Sequence, residues 1–452
     1  MKRPTDRFIA GLASLAVTAF GACPASDPGA RRPEPPPLGA LPAPLALLPP
    51  LRAASGLQVL SLPARGDVFA AAILVPADPR DDPRGLEGLT AFTVDSALLA
   101  TTADPDRQLR PERRALELGG RIEALHDGVL AGWRVTGPSA ARGPLLRLLR
   151  DVAVVPAFPA TRVQARAEMV REEGEQVRSR ALVEARAWAI GLGLGEGRPL
   201  RLAPGDATLA AINREDLARH HARLFAPERA LAVAEGVPAD VLLQALRDWP
   251  APATAPAHST AAPCPAPHLE QAWLPAPERD AAVILALPVP GLGHPLRPAL
   301  EGLLLASDAL DDGLRPRVEL HDRGARSVLL LIASGGGPSA LEPIDAWLTR
   351  LARLDGPGRA TLGERLRRAA GLVAAETARG RVLGAARAFV HAPPASFDLA
   401  GDLAALQRWL LLEEGRVRVG VGPEQLLRRM EAWGTVRTLP RAGDLCPAPS
   451  AP

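Results

Sequence analysis

Apolar and polar positions alternate in a way that repeats along the chain. From Gly56 to Pro76 the sequence runs GLQVLSLPARGDVFAAAILVP, two apolar stretches about a turn at Ala64-Arg65-Gly66-Asp67, which predicts two strands. GLEGLTAFTVDSALL then predicts a helix over 87–101. In ERRALELGGRIEALHDGVLAGWRV the pair Gly119-Gly120 closes a short helix and opens a strand hairpin. Further helices are predicted over 139–152 and, as one long amphipathic element, over 160–190. Asn213 caps the next, with Glu215 and Asp216 favourably placed in its first turn, and ALAVAEGV at 230–237 reads as a buried strand. Alanine and proline replace this periodicity at 250–267, PAPATAPAHSTAAPCPAP, a linker. Beyond it the order recurs: strand 281–290, helix 296–310, strand 327–335, helix 341–354 and a long helix over 360–390. The pattern predicts an α+β protein of two similar domains, 53–249 and 268–440, followed by a tail at 441–452. Each domain is expected to be a mostly antiparallel sheet packed by helices.

The first residues follow a different rule. Basic Lys2, Arg3 and Arg7 precede an apolar run from Phe8 to Ala22 and then Cys23, the form of an export signal over 1–22. The run is too short to span a bilayer comfortably. Phe20-Gly21-Ala22-Cys23 resembles a bacterial lipoprotein signal, in which the Cys23 thiol is acylated and anchors the chain to a membrane; cleavage after Ala22, leaving a free thiol, is the alternative. Proline-rich residues 23–52 then read as an extended tether. Cys264 and Cys446, both flanked by proline, are the remaining cysteines. In an oxidising envelope compartment they either form a disulfide or stay as two surface thiols.

Composition narrows the picture further. A chain of 452 residues with 47% hydrophobic content can fill more than one core, which excludes a single small module. Lys2 is the only lysine and tyrosine is absent, a bias that points to no site. The formal charge is +3, and removal of 1–22, with Lys2, Arg3 and Arg7 against Asp6, leaves +1. That balance gives no reason to expect a nucleic-acid partner.

Four stretches carry a resemblance to a known family: GLQVLSLPARGDVFAAAILV, GLEGLTAF, LELGGRIEALHDGVLAGWRV with EMVREEGEQV, and INREDLARHHARLFAPERALAVAEGV. In order and spacing they resemble the insulinase/pitrilysin peptidases, the inverted zincins that include the mitochondrial processing peptidase. The likeness covers roughly 55–437. It implies one half of a clam-shell of four similar domains, which a second two-domain subunit completes. In that family an H-x-x-E-H helix supplies two zinc-binding histidines and the glutamate that activates water. Here the first histidine becomes Gly88, the glutamate Ala91 and the second histidine Phe92. Glu172 best matches the third metal ligand, with Glu168 closer to the usual spacing. One carboxylate does not hold catalytic zinc, so the resemblance implies a degenerate site, no catalytic residue and no cofactor, with zinc expected to be absent. The family's substrate clamp, an arginine and a tyrosine, falls on Arg315 or Arg317 and on Arg326.

Other chemistry is weakly signalled. The eight histidines are His126, His220, His221, His258, His268, His294, His321 and His391. Adjacent His220 and His221 project about a hundred degrees apart on a helix and read as packing residues. His126-Asp127 and His321-Asp322 have no visible third ligand, no nucleophile elbow is present, and SGGGP at 334–338 lacks the lysine of a phosphate loop, so it reads as a turn. The leading expectation is a lipid-anchored, non-catalytic subunit that pairs with an active H-x-x-E-H-bearing partner and helps to enclose an extended peptide. A stand-alone peptide-binding or envelope-scaffold protein is the alternative, and a metallopeptidase with relocated ligands the third.

Overall fold

The computed structural model describes residues 50–83, 85–102, 110–177, 180–247, 249, 269–305, 316–323, 326–335, 341–361, 378–390 and 399–440. The predicted signal, most of the tether, the linker and the tail lie outside them, as do Cys23, Cys264, Cys446, Arg315, His258, His268 and His391. The described residues all belong to one compact unit, 41–452.

Two six-stranded mixed sheets form two lobes. The first contains β1 (Leu51–Arg52), β2 (Gln58–Leu62), β3 (Val68–Pro76), β4 (Arg121–His126), β5 (Leu130–Pro138) and β6 (Leu231–Glu235), in the order β1-β2-β6-β3-β5-β4. Strands β7 (Gln271–Pro275), β8 (Ala282–Pro290), β9 (Arg317–Arg323), β10 (Arg326–Ser334), β11 (Val417–Gly422) and β12 (Val436–Thr438) repeat it as β12-β7-β11-β8-β10-β9. Each sheet has a parallel pair at the same place, β2 with β6 and β7 with β11; at the edge the two differ, β12 running parallel to β7 and β1 antiparallel to β2. This repeat is the α+β, two-domain plan that the sequence pattern predicts.

The helices of the first half are α1 (Leu89–Ser96), α2 (Pro111–Glu117), α3 (Arg142–Val154), α4 (Ala160–Val177), α5 (Arg180–Gly193), α6 (Asp206–Ala211), α7 (Arg214–Leu224) and α8 (Ala239–Ala245). In the second half they are α9 (Arg297–Leu305), α10 (Glu342–Ala352), α11 (Ala378–Val390), α12 (Leu399–Leu411) and α13 (Glu424–Glu431). Predicted helix 87–101 is shorter than expected, because a 3-10 turn, Ala97–Leu99, replaces its end. The predicted hairpin from 56 to 76 is also revised. Both strands form, but β6 lies between them, parallel to β2 and antiparallel to β3. A strand buried at every position, as LAVAE is, gains most by taking an interior place in the sheet.

Continuous apolar runs become strands covered on both faces. In β3, Phe69, Ala71, Ile73 and Val75 face one core while Ala70, Ala72 and Leu74 face another. The first of these cores is closed by α1, α3, α7 and α8. The second is closed by α11, through Val382, Ala385 and Ala386. Across the molecule the relation is reciprocal: α5 supplies Ala185, Trp188, Ala189 and Ile190 to a core with β7, β8, β10 and β11. Each half therefore lends a helix to the other half's sheet.

Candidate functional site

Helix α1 carries the three positions at which the resemblance places the metal motif. Gly88 is its N-cap residue, with φ +88°. A Cβ built there would lie 2.2 Å from the Pro204 main-chain nitrogen and 2.4 Å from the Ala203 carbonyl carbon. Backbone atoms cannot yield as a flexible side chain can, so the position admits glycine alone. Phe92 is 2% exposed and belongs to the core with Leu89, Val94, Trp133 and Phe225. Ala91 is half-buried. Trp133 Nε1–H donates to the Val94 carbonyl oxygen at 2.8 Å and pins the helix to β5.

A buried carboxylate organises the start of α1. Asp82, 3% exposed, accepts from Gly88 N–H at 2.8 Å through Oδ2 and from Thr90 N–H at 2.9 Å through Oδ1. It thus caps a helix whose own N-cap residue has no side chain. The Thr90 hydroxyl also donates to Asp82 Oδ1, at 2.6 Å, and lies 2.8 Å from His220 Nε2 on α7. Arg223 Nη2 donates to His220 Nδ1 at 3.0 Å, so the ring proton resides on Nε2 and Nε2–H donates to Thr90 Oγ1. Burial pushes the Asp82 carboxyl up to about 6, against the hydrogen bonds from Thr90 and Gly88. His220 and Asp82 thus lie beside Gly88 at the start of α1, and their bonds through Thr90 knit α7 to α1. Sequence reasoning reads His220 as packing alone and misses Asp82, because the cap lies six residues before Gly88 and carries no local signature.

The proposed third-ligand position lies elsewhere on α4. Arg166 Nε donates to Asp95 Oδ2 at 2.5 Å and Arg162 Nη1 to the Leu99 carbonyl at 2.7 Å, so arginines form the face turned to α1. Glu168 and Glu172 are exposed and stand roughly 160° and 120° around the helix from Arg166. Among the described residues no three histidine, cysteine, aspartate or glutamate side chains are grouped to hold a metal ion.

The remaining sequence candidates are spread over α7, β9, β10 and the turn before α9. His221 packs as expected: Nε2 lies 3.0 Å from the Ala153 carbonyl, and the ring stacks on Phe225 at 5.2 Å. Burial pushes it down to about 4, so it stays neutral. Arg317 Nε is 2.7 Å from Glu319 Oε1, and Arg326 Nη1 donates to the Leu194 carbonyl at 3.1 Å. Both clamp positions thus already have partners. His321 Nε2 lies 3.2 Å from Glu319 Oε2, and Arg186 also pairs with that carboxylate. His294 sits edge-on to Trp409 at 5.2 Å. Ser334 ends β10, Gly335 takes φ +121° as a turn demands, and 336–338 lie outside the described residues. Among the described residues, strand β4 pairs with β5 alone and stands at the end of the first sheet.

No family profile and no curated protein matches the sequence. Solved structures share the fold. The M16 peptidase inactive domain from Pseudomonas fluorescens aligns with 88% of this chain and 100% of its own, with TM-score 0.65 and 16% identity. A protease from Helicobacter pylori aligns over 83% of this chain and 99% of its own, with TM-score 0.63 and 14% identity. The periplasmic protease PqqL from Escherichia coli matches 91% of this chain at TM-score 0.62 and 13% identity, but this chain spans only 52% of that one. Identities this low establish the fold: two lobes in the arrangement of an M16 half.

Proposed function

We propose that this chain is a non-catalytic relative of the insulinase-type peptidases, held in the cell envelope, that completes the substrate chamber of an active zinc-bearing partner. The observation that carries the reading is Gly88. Its left-handed backbone and the Pro204 nitrogen 2.2 Å from a would-be Cβ leave no room for a first histidine. Phe92, 2% exposed within the core, occupies the second histidine's place with a ring that excludes water. Phe92 has no metal-binding atom, and the α4 acids are turned outward.

What remains is a frame for an extended peptide. An edge strand such as β4 offers main-chain donors and acceptors to an added strand and needs no metal. The half-length match to PqqL supports a chain that works beside a second two-lobed unit. That neighbour's periplasmic location, with the basic and apolar leader over 1–22 that precedes Cys23, supports an envelope setting and a lipid anchor. No helix among the described residues is long and apolar enough to cross a membrane.

The test is metal analysis and peptide cleavage on the purified chain, alone and with proteins recovered from native membranes. The reading expects no stoichiometric zinc in the chain and chelator-sensitive cleavage only when an H-x-x-E-H-bearing partner is present. Zinc at one equivalent with turnover by the chain alone overturns it.

A further inference from the structure

The segment that carries the chain from α5 to α6 lies against two elements of the first lobe. On one side is Gly88, the N-cap of α1, whose would-be Cβ comes within 2.2 Å of the Pro204 nitrogen, 2.4 Å of the Ala203 carbonyl carbon and 2.6 Å of the Pro204 Cα. On the other is Gly128 in the β4–β5 turn, whose would-be Cβ comes within 2.9 Å of Leu202 Cδ2. Both glycines have left-handed backbone, at φ +88° and +87°, which ordinary side chains rarely adopt. Two glycines on separate elements thus leave their side-chain space to the same three residues, Leu202, Ala203 and Pro204. Gly128 follows closely on His126, the last residue of β4, so these three residues stand between the end of that strand and the start of α1.

The two walls are firmly held. Asp82 accepts from the Gly88 and Thr90 N–H groups, and Asp127 Oδ1 accepts from Val129 N–H at 2.9 Å and Leu130 N–H at 2.8 Å. The segment between them is fastened mainly at its ends. Before it, Leu200 N–H donates to the Ala187 carbonyl at 2.9 Å, and Arg201 donates to Glu184 through Nη2 at 2.6 Å and Nε at 3.2 Å. After it, the Gly205 carbonyl accepts from Leu209 N–H at 2.8 Å as α6 begins. Across the middle, the His126 ring bonds the Leu202 main chain. Among the described residues, Leu202, Ala203 and Pro204 make no hydrogen bond from main chain to main chain. Ala203 is exposed, and its two neighbours are half-buried. Residues with neither helix nor sheet bonds, strung between two anchors, are the part of this corner that opens at least cost.

We infer that residues 202–204 are an autoinhibitory strap, closing the way from the end of β4 to the start of α1, and that an extended peptide laid along β4 must lift it. The inference rests on the peptide frame of the proposed function and adds to it a gate that belongs to this chain. A peptide that follows β4 past His126 meets Leu202 first, then the Ala203 and Pro204 main chain, before it reaches Gly88. Lifting the strap forfeits its packing, so the closed form lowers the apparent affinity by the fraction of chains that are open. Main-chain bonds from the peptide to the edge of β4 supply the compensation.

Fluorescence anisotropy of the full chain with fluorescein-labelled β-casein, an unfolded polypeptide, tests the strap. Leu202→Ala combined with Pro204→Gly removes the side chain set against Gly128 and the rigid ring set against Gly88. The pair should raise the affinity for casein roughly tenfold, because more chains are open. Neither residue belongs to a buried core, so the variant should still unfold cooperatively on heating, which separates a lifted strap from a disordered lobe. A second readout follows the strap itself. With Cys23, Cys264 and Cys446 replaced by serine, the thiol of Leu202→Cys should react with iodoacetamide roughly tenfold faster when unlabelled casein is present. Loosening of the fold alone does not make that rate depend on casein. Equal affinity of parent and variant, with labelling indifferent to casein, overturns the strap and leaves the peptide frame standing. Binding of casein by neither protein overturns both.

Discussion

Gly88 concentrates the consequences of the sequence at a single atom. Gly88→Ala must place a methyl group 2.2 Å from the Pro204 nitrogen while keeping φ at +88°. Left-handed strain and overpacking each amount to about 1–3 kcal/mol, so the substitution should cost about 3 kcal/mol or more in denaturant unfolding. An unchanged midpoint would show that the loop at 203–204 yields freely and that a side chain once fitted there. Asp82 gives a second residue-level test, with a definite sign. Its carboxyl is raised from an ordinary 3.8 to about 6, so between those values the folded chain binds more protons than the unfolded one. The stability it contributes is complete below about pH 4 and is lost as pH rises through 6, by at most about 3 kcal/mol. Asp82→Asn should abolish that loss, so the variant should gain on the parent from pH 4 to pH 7. Stability curves of the two proteins that remain parallel would refute the assignment.

At the scale of elements, α7 shows how a local signal and a tertiary contact share one helix. Asn213 Oδ1 accepts from Asp216 N–H at 3.0 Å, and Asp216 Oδ2 accepts from Asn213 N–H at 3.3 Å, a reciprocal cap. Asn213→Ala should therefore destabilise the protein by about 1 kcal/mol, with thermal unfolding as the measurement and no change as the contrary outcome. The cap was legible because its donors and acceptors lie three residues apart in the sequence. Strands β3, β8 and β10 were legible for a similar reason: long apolar runs with β-branched residues specify a strand covered on both faces. The pairing of β2 with β6 was not, since that choice is made by a segment over 160 residues away. Strands β7 and β11 and helices α12 and α13 went unread; β7 is only five residues long, and β11 alternates arginine and glycine with valine. The α1 positions were proposed from motif spacing alone, whereas Asp82 acquires meaning only from the Gly88 and Thr90 donors that the fold brings to it.

Across the whole molecule, the exchange of α5 and α11 makes the two lobes depend on each other. Helix α11 is fixed to the first sheet by Arg381, whose Nε donates to Glu235 Oε2 at 2.6 Å, with a second bond from Nη2 to Oε1. Glu235 is 1% exposed on β6, so it has little access to water if that partner leaves. Arg381→Met should accordingly cost about 3–5 kcal/mol, far more than a surface pair. Combining it with Glu235→Leu should recover most of the loss, because the stranded charge goes with its partner. The core beneath the pair, where Val382, Ala385 and Ala386 meet Leu60, Ala72 and Val233, is apolar and would tolerate that replacement. The same geometry governs cooperativity. If the second half unfolded alone, the outer face of the first sheet would lose α11; if the first unfolded, the second sheet would lose Trp188 and its neighbours on α5. Neither sheet keeps both faces covered without the other, so calorimetry should record one transition and a fragment ending at residue 249 should not fold. Two resolved transitions, or a stable fragment, would mean that the lent helices decorate the sheets instead of completing their cores.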